Sequence, residues 1–304
     1  MGALPARFRR ERVLIVGCGD VGLRVAQALG GSRRVRLLAL TSTPERMPAL
    51  RRCGLTPLPG NLDVPASLRR LSGIATRVLH LAPPPGDSGG RDPRTQALLR
   101  VLRLRTAPKS LVYGSTSGVY GDCAGALVSE THASQARTPR ALRRVDAETQ
   151  VRRFGRATDY TSRVSTLRIP GIYAPDRVGG TPQTRLRKGT PVLEAAHDVY
   201  TSHIHADDLA RACVAALWRG RAQRVYNVND DTQLKMGDYF DLAADLYRLP
   251  RPPRVTRAAA FALLPATLLS FMGESRRMDN TRMKRELRLR LRFATVADGL
   301  LLKT

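Results

Sequence analysis

The sequence predicts an α/β chain built on a doubly wound parallel sheet, with a smaller α/β lobe at its C-terminal end. Three observations carry that expectation. Short apolar runs of strand length alternate with helix-like segments through the first half, a pattern that argues for βαβ units covered on both faces. A glycine-rich turn, Gly17-Cys18-Gly19-Asp20-Val21-Gly22, joins the first such run to a helix-like segment. Beyond Ile169 the pattern changes: Gly and Pro crowd the stretch from Pro170 to Pro191, and helix-like segments follow.

Taken in order, Val13-Leu14-Ile15-Val16 is an uninterrupted apolar run, the mark of a strand buried on both faces. The glycine spacing behind it has a chemical reason. Gly17 permits the tight turn, Gly19 lets the backbone approach a pyrophosphate, and Gly22 lets helix and strand pack closely. The phosphates then sit on free N–H groups where the helix begins, at Asp20 and Val21. A bare glycine match is weak, but here a strand precedes it and Leu23–Leu29 continues as a helix. The context reads as a Rossmann-type dinucleotide site.

Val35–Leu40 is the second strand and Pro44–Arg52 a charged helix. A third strand precedes Asn61-Leu62-Asp63, and Arg77–Ala82 and Ser110–Gly114 are further strands. Pro83–Pro93 lacks periodicity and reads as a surface loop. A long helix over Arg140–Gly155 leads into the strand Thr166–Ile169. Residues 1–169 form the dinucleotide-binding domain on this reading. Residues 170–304 form the smaller lobe, with an extended Val199–His205 and helices at Asp207–Arg219, Met236–Tyr247 and Ala258–Met272. In the last of these, Phe261, Leu264, Leu268 and Phe271 recur at helical spacing. No linker separates the two parts, so the lobe is threaded onto the sheet.

The end of the second strand selects between dinucleotides. A bare ribose is usually read by an Asp or Glu there, whereas this strand ends Ala39-Leu40-Thr41-Ser42-Thr43, with no acid before Glu45. Thr41, Ser42 and the following Arg46 suit a 2′-phosphate, so the expected cofactor is NADP, with NAD as the alternative.

Composition bounds the remaining classes. With 304 residues and 42% hydrophobic content, the chain can bury one substantial core and a smaller one. No apolar run reaches membrane-spanning length, and Met1-Gly2-Ala3-Leu4-Pro5-Ala6 holds no long apolar stretch; a cytoplasmic protein is expected. Cys18, Cys53, Cys123 and Cys213 are scattered without any C-x-x-C pair, which argues for reduced thiols and against a disulfide framework or a zinc site. The formal charge is +26, but only Lys109, Lys188, Lys235, Lys284 and Lys303 of the 51 basic residues are lysine. The arginines run along the whole chain and aromatics make up 5%, so the charge reads as background composition and not as a specific nucleic-acid surface.

Six pieces in register carry a family resemblance. They are Gly17–Gly22, Leu81-Ala82-Pro83, the run Gly114-Ser115-Thr116-Ser117-Gly118-Val119-Tyr120-Gly121, the segment Leu167–Pro175 containing Pro170-Gly171-Ile172, His203–Ala210, and Val225-Tyr226-Asn227-Val228. The chain resembles the extended short-chain dehydrogenases/reductases, of the NAD-dependent epimerase/dehydratase kind that acts on nucleotide sugars. The resemblance implies a dinucleotide lying on the Gly17–Gly22, Leu81-Ala82-Pro83 and Pro170-Gly171-Ile172 loops, with Asn61-Leu62 at the adenine. It implies an anionic sugar-nucleotide as substrate and a catalytic Ser/Thr at Thr116, flanked by Ser115 and Ser117. It also implies a homodimer through the helix carrying the family's Tyr-x-x-x-Lys pair, a face that here is rich in arginine between Arg137 and Arg156.

That pair is where the chain departs. Glu148 fits the glutamate that follows the lysine by four residues, which places Arg144 at the lysine and Arg140 at the tyrosine. The i, i+4 spacing keeps all three on one helix face. Arginine is never deprotonated in proteins, so Arg140 cannot serve as acid or base, while Arg144 can still place charge near a ribose or phosphate. Tyr113, Tyr120, Tyr173 and Tyr200 are read as packing or hydrogen-bonding residues. His203 and His205, with Asp207 and Asp208, are read as a strand anchor and helix start, not a metal site. Two functions follow: an epimerase-like or oxidoreductase-like enzyme, or a dinucleotide-binding protein without turnover.

Overall fold

The computed structural model describes Arg10–Ser32 and Arg34–Leu301, apart from the side chains of Ala266, Thr267 and Phe271. The N-terminal segment Met1–Ala6, Lys303 and the Phe271 ring named above lie outside the described residues.

The first half lays down strands β1 (Glu11–Val16), β2 (Val35–Thr41), β3 (Thr56–Pro59), β4 (Arg77–His80) and β5 (Ser110–Thr116). The short β6 (Leu127–Val128) and the long β7 (Arg163–Ile169) follow, then β8 (Gly171–Tyr173), β9 (Val192–Leu193), β10 (Tyr200–Thr201), β11 (His203–His205) and β12 (Arg224–Asn227). Seven of these form one sheet in the order β12-β7-β5-β4-β1-β2-β3, and every pair in it is parallel. The chain winds outward from β1 to β3, then returns to the other side of β1 as β4. A crevice opens at that reversal, outside the carboxyl ends of β1 and β4.

Both faces of β1 are apolar because both are covered. Val13 and Ile15 point into a core shared with helices α1 (Asp20–Leu29) and α6 (Ala206–Arg219). Leu14 and Val16 point into a second core with α3 (Pro93–Leu102) and α4 (Pro139–Ala157). Alternate residues face opposite ways along a strand, so a doubly covered strand reads as a continuous apolar run. The short α2 (Met47–Arg52) follows a 3-10 turn at Pro44–Arg46, which shortens the expected charged helix. Helices α5 (Gln183–Arg187) and α7 (Met236–Tyr247) pack with β9 around a third core, that of the smaller lobe.

The second half also feeds the main sheet. The sheet's last strand in chain order, β12, pairs with β7 through Tyr226 opposite Leu167. Val199–His205 divides at Ser202 into β10 and β11, which join different small sheets. The expected helix over Ala258–Met272 is two helices, Arg257–Leu263 and Ala266–Met272. Proline supplies the break: Leu264, just ahead of Pro265, is extended at φ −113° and ψ 144°, as steric conflict with the following ring demands.

Candidate functional site

The loop behind β1 comes against the loop behind β4 at the crevice. Gly17 sits at φ +85°, and a Cβ there would lie 2.3 Å from Ala82 N, so both the turn and the close approach require glycine. Leu81 N and Ala82 N both donate to Val16 O, at 2.7 and 3.1 Å. A Cβ on Gly22 would press on Ile15 Cγ2 at 3.2 Å and Gly17 O at 3.3 Å, which accounts for the tight seating of α1 on β1. Gly19 is different: a Cβ there meets nothing within 4 Å. It is also the N-cap of α1 and offers no side-chain cap, leaving first-turn N–H groups at the positive end of the helix without an internal partner. These features fit a dinucleotide pyrophosphate laid across the loop. The Asp20 carboxylate is held by Arg24 at 3.2 Å and Arg177 at 3.3 Å, so the group it can offer a phosphate is its main-chain N–H.

The end of β2 holds the residues expected to select the cofactor. Thr41 is buried and exchanges hydrogen bonds with Thr43, each 3.2 Å long, while Ser42 is exposed. Arg46 reaches back to donate to Cys18 O at 2.7 Å, which sets a guanidinium beside the glycine loop. Asn61 accepts from Asp63 N at 2.9 Å, and Leu62 packs on the second core. Arg94 ties these walls together: it grips Asp63 with two bonds of 2.7 and 2.6 Å and donates to Pro83 O at 3.2 Å.

A second cleft of about 520 Å³ lies between the main sheet and the smaller lobe. Thr116, Arg140 and Pro170-Gly171-Ile172 line one side; Arg185, His203, Tyr239 and Phe240 line the other. Of the expected catalytic group, Thr116 and Arg140 reach this cleft and Ser115 and Arg144 do not. The Thr116 hydroxyl accepts from Gly118 N at 3.3 Å. Arg144 Nη1 instead donates to Gly114 O at 2.8 Å and to Tyr113 OH at 3.0 Å. Burial raises the Tyr113 phenol above its ordinary range, with Arg144 working against the rise.

Ser115 belongs to a buried polar network. It donates to Glu148 Oε1 at 2.6 Å, and Arg168 binds the same carboxylate through Nε at 3.2 Å and Nη2 at 2.9 Å. The Arg168 guanidinium lies 4.6 Å from the centre of the Tyr120 ring, whose hydroxyl donates to Asn227 Oδ1 at 2.6 Å. Burial works against the Arg168 charge, and the Glu148 bonds and charge outweigh it, so its pKa is raised. The expectation of packing and bonding roles for Tyr113 and Tyr120 holds in this geometry.

The histidines also take the expected structural places. His205 Nδ1 accepts from Asp207 N at 3.2 Å and so caps α6. His203 stacks on Tyr239 with ring centroids 4.2 Å apart, and burial pulls its pKa down to about 4, which keeps it neutral at neutral pH. No group of three or more metal-ligating side chains occurs among the described residues, and no described helix is long and apolar enough to cross a membrane. All four cysteines are free. Sequence reading missed the Arg185–Phe240 stack and the Glu274–Arg276 pair on the cleft wall, 2.7 Å apart. Arg185 and Phe240 lie in segments joined only by the fold, so no spacing announces their stack; Glu274 and Arg276 are two residues apart, and nothing in that spacing marks them as cleft lining.

The comparisons agree with this geometry. Residues 13–229 match the model of the NAD dependent epimerase/dehydratase family. The chain belongs to that family. No curated protein matches it. Among solved structures it is similar to a conserved protein of unknown function from Silicibacter pomeroyi, 29% identical, with TM-score 0.78 over 95% of this chain and 96% of the other. It shares its fold with the UDP-glucose 4-epimerase of Thermotoga maritima, solved with UDP-glucose, at 17% identity and TM-score 0.75 over 95% and 96% of the two chains. The same holds for the UDP-glucuronic acid 4-epimerase of Bacillus cereus, solved with NAD, at 18% identity and TM-score 0.73 over 95% and 96%. Membership in this NAD-dependent epimerase/dehydratase family makes the chain one that binds a nicotinamide dinucleotide.

Behind His203, Asp230 is a buried acid. Its N–H donates to His203 O at 2.8 Å, its Oδ1 accepts from Thr232 N at 3.0 Å, and its Oδ2 is buried without a partner. Burial pushes its carboxyl up to about 7. An unfolded Asp ionises near pH 3.9, so between those values the folded chain holds the extra proton and stability falls as pH rises from about 4 to about 7. Asp230→Asn, which keeps the acceptor for Thr232, is expected to exceed the wild type by roughly 2–4 kcal/mol at pH 8. The gap should close toward pH 4. Urea midpoints across that range check this; a pH-independent gap would contradict it.

Proposed function

We propose that this chain binds NADP in the crevice between β1 and β4 and holds an anionic sugar or sugar-nucleotide in the adjoining cleft. The observation that supports the cofactor most directly is the space over Gly19, where a Cβ would meet no protein atom, at an α1 start with no side-chain cap. When bound, the nicotinamide supplies hydride exchange with a substrate carbon. Thr116, on the cleft wall, donates a hydrogen bond to a substrate oxygen. Arg140 beside it brings a permanent positive charge; it moves no proton, but it stabilises negative charge that develops on that oxygen. The UDP-sugars named for the solved epimerases supply a precedent for the substrate. Four free cysteines suit a reducing, cytoplasmic location.

The preference for NADP is supported by Arg46, bonded to Cys18 O, together with Thr41 and Ser42 and the lack of a carboxylate at the end of β2. Fluorescence titration is expected to give NADPH about tenfold tighter binding than NADH, a difference of about 1.4 kcal/mol. Arg46→Ala should erase that difference and leave NADH unchanged. Tighter binding of NADH, or an indifferent Arg46→Ala, would overturn the preference.

A second reading, a cofactor held without turnover, is favoured by one observation. Arginine stands at both positions of the family's acid/base pair, and Arg144 is already committed to Gly114 O and Tyr113. Absorbance at 340 nm together with chromatography of the sugar, using UDP-glucose and UDP-glucuronate, separates the two. A net change at 340 nm, or an altered sugar without one because an epimerase returns its hydride, supports the enzyme; bound cofactor with both sugars unchanged supports the second reading.

A further inference from the structure

Most arginines on the cleft wall are engaged. Arg177 donates to Ile172 O at 2.8 Å and pairs with Asp20 at 3.3 Å. Arg276 pairs with Glu274 at 2.7 Å and donates to Gly121 O at 2.8 Å. Arg185 stands apart. Its guanidinium lies 4.3 Å from the centre of the Phe240 ring, and its Nε and Nη2 are buried with no hydrogen-bond partner. Burial pulls its pKa below the ordinary arginine value, with Tyr239 pulling weakly the other way.

We infer that Arg185, backed by Phe240, is the anion anchor of the cleft and receives a phosphate or carboxylate group of the ligand held there. This rests on the reading of the cleft as the substrate site and names the residue that selects for charge. The anchor is firmly mounted: Leu186, next to it on α5, and Phe240 on α7 are both buried in the lobe core. A half-buried cation whose Nε and Nη2 are buried and unbonded is destabilised until an acceptor arrives. An arriving anion supplies the missing acceptor and gains the planar fork of the guanidinium, which matches phosphate and carboxylate oxygens. The aromatic face behind it keeps that fork oriented while giving it no competing acceptor. A neutral analogue leaves the donors unpaired and is rejected on that ground. Thr116 and Arg185 line the same cleft from the two lobes, so the ligand is one that places its anionic end in the smaller lobe and its reacting end by the sheet.

Thermal unfolding tests this without any nucleotide, using inorganic pyrophosphate and malonate against sodium chloride at matched ionic strength. One or both anions should raise the wild-type Tm beyond the chloride control, and their ranking separates a phosphate from a carboxylate source. Arg185→Met should abolish that rise and, by removing the unpaired cation, raise the ligand-free Tm by roughly 2–4 °C. Arg185→Lys should keep part of the anion response. Arg187→Gln, which removes the same charge from an exposed neighbour outside the cleft, should change neither quantity. The inference is overturned if neither anion shifts the wild type, if Arg185→Met retains the shift or lowers the ligand-free Tm, or if Arg187→Gln reproduces the loss. Failure of NADPH to bind while the Arg185-dependent shift persists would remove the cofactor reading and leave the anchor standing.

Discussion

Replacing Glu148 with alanine is expected to destabilise the fold by about 3–5 kcal/mol, the usual cost of stranding one partner of a buried ion pair. The Arg168 and Glu148 side chains are 5% and 6% exposed, so water cannot take over the guanidinium once the carboxylate is gone. Arg168 already has one buried nitrogen, Nη1, without a partner, and the substitution would orphan Nε and most of the bonding of Nη2. The damage spreads because the network joins α4 to β5 through Ser115 and to β7 through Arg168, and Tyr120 under that guanidinium bonds Asn227 on β12. Urea unfolding followed by circular dichroism measures it. Adding Arg168→Met to Glu148→Ala should recover part of the loss, since no buried charge then remains. A loss below about 1 kcal/mol in the single variant, the worth of a surface pair, would contradict the account.

Gly19→Val is the second large effect, and it falls on binding. The residue has φ −85° and ψ −151°, an extended conformation, and an added Cβ touches no protein atom within 4 Å. The fold should therefore keep its stability. The same Cβ and its two methyls would occupy the space where a pyrophosphate must approach the start of α1. Affinity for NADPH is expected to fall by more than about a hundredfold, equal to about 2.7 kcal/mol. Gly17 does not permit so clean a test, because its Cβ would collide with the Ala82 backbone at 2.3 Å and disturb the crevice itself.

The fold was legible where one residue type has one physical use. Val13–Val16 announces a strand covered on both faces, and Gly17 and Gly22 behind it announce the turn and the close packing. The strand at Ser110, the long helix at Pro139–Ala157 and the His205 cap of α6 follow from equally local chemistry. What was not legible depends on long-range partners. Ser115 and Thr116 are adjacent, yet alternation along β5 sends the first to Glu148 and leaves the second on the cleft wall. Arg140 and Arg144 share a helix face in sequence, but Arg144 is drawn to Gly114 O, an acceptor on another element. Arg185 and Phe240 are 55 residues apart and meet only because α5 and α7 share a core. In a chain with 51 basic residues, composition gives no means of telling an anchoring arginine from a solvated one; the distinction lies in which of them lacks a partner.

The central claim is that the Gly17–Gly22 loop holds a nicotinamide dinucleotide although the family's acid/base pair is absent. Isothermal titration of NADPH into the wild type and Gly19→Val, with the Tm of each recorded alongside, tests it most directly. The account predicts saturable one-to-one binding to the wild type and none measurable to a variant that unfolds at the same temperature. Equal binding to both proteins, or no binding to the wild type, would contradict it.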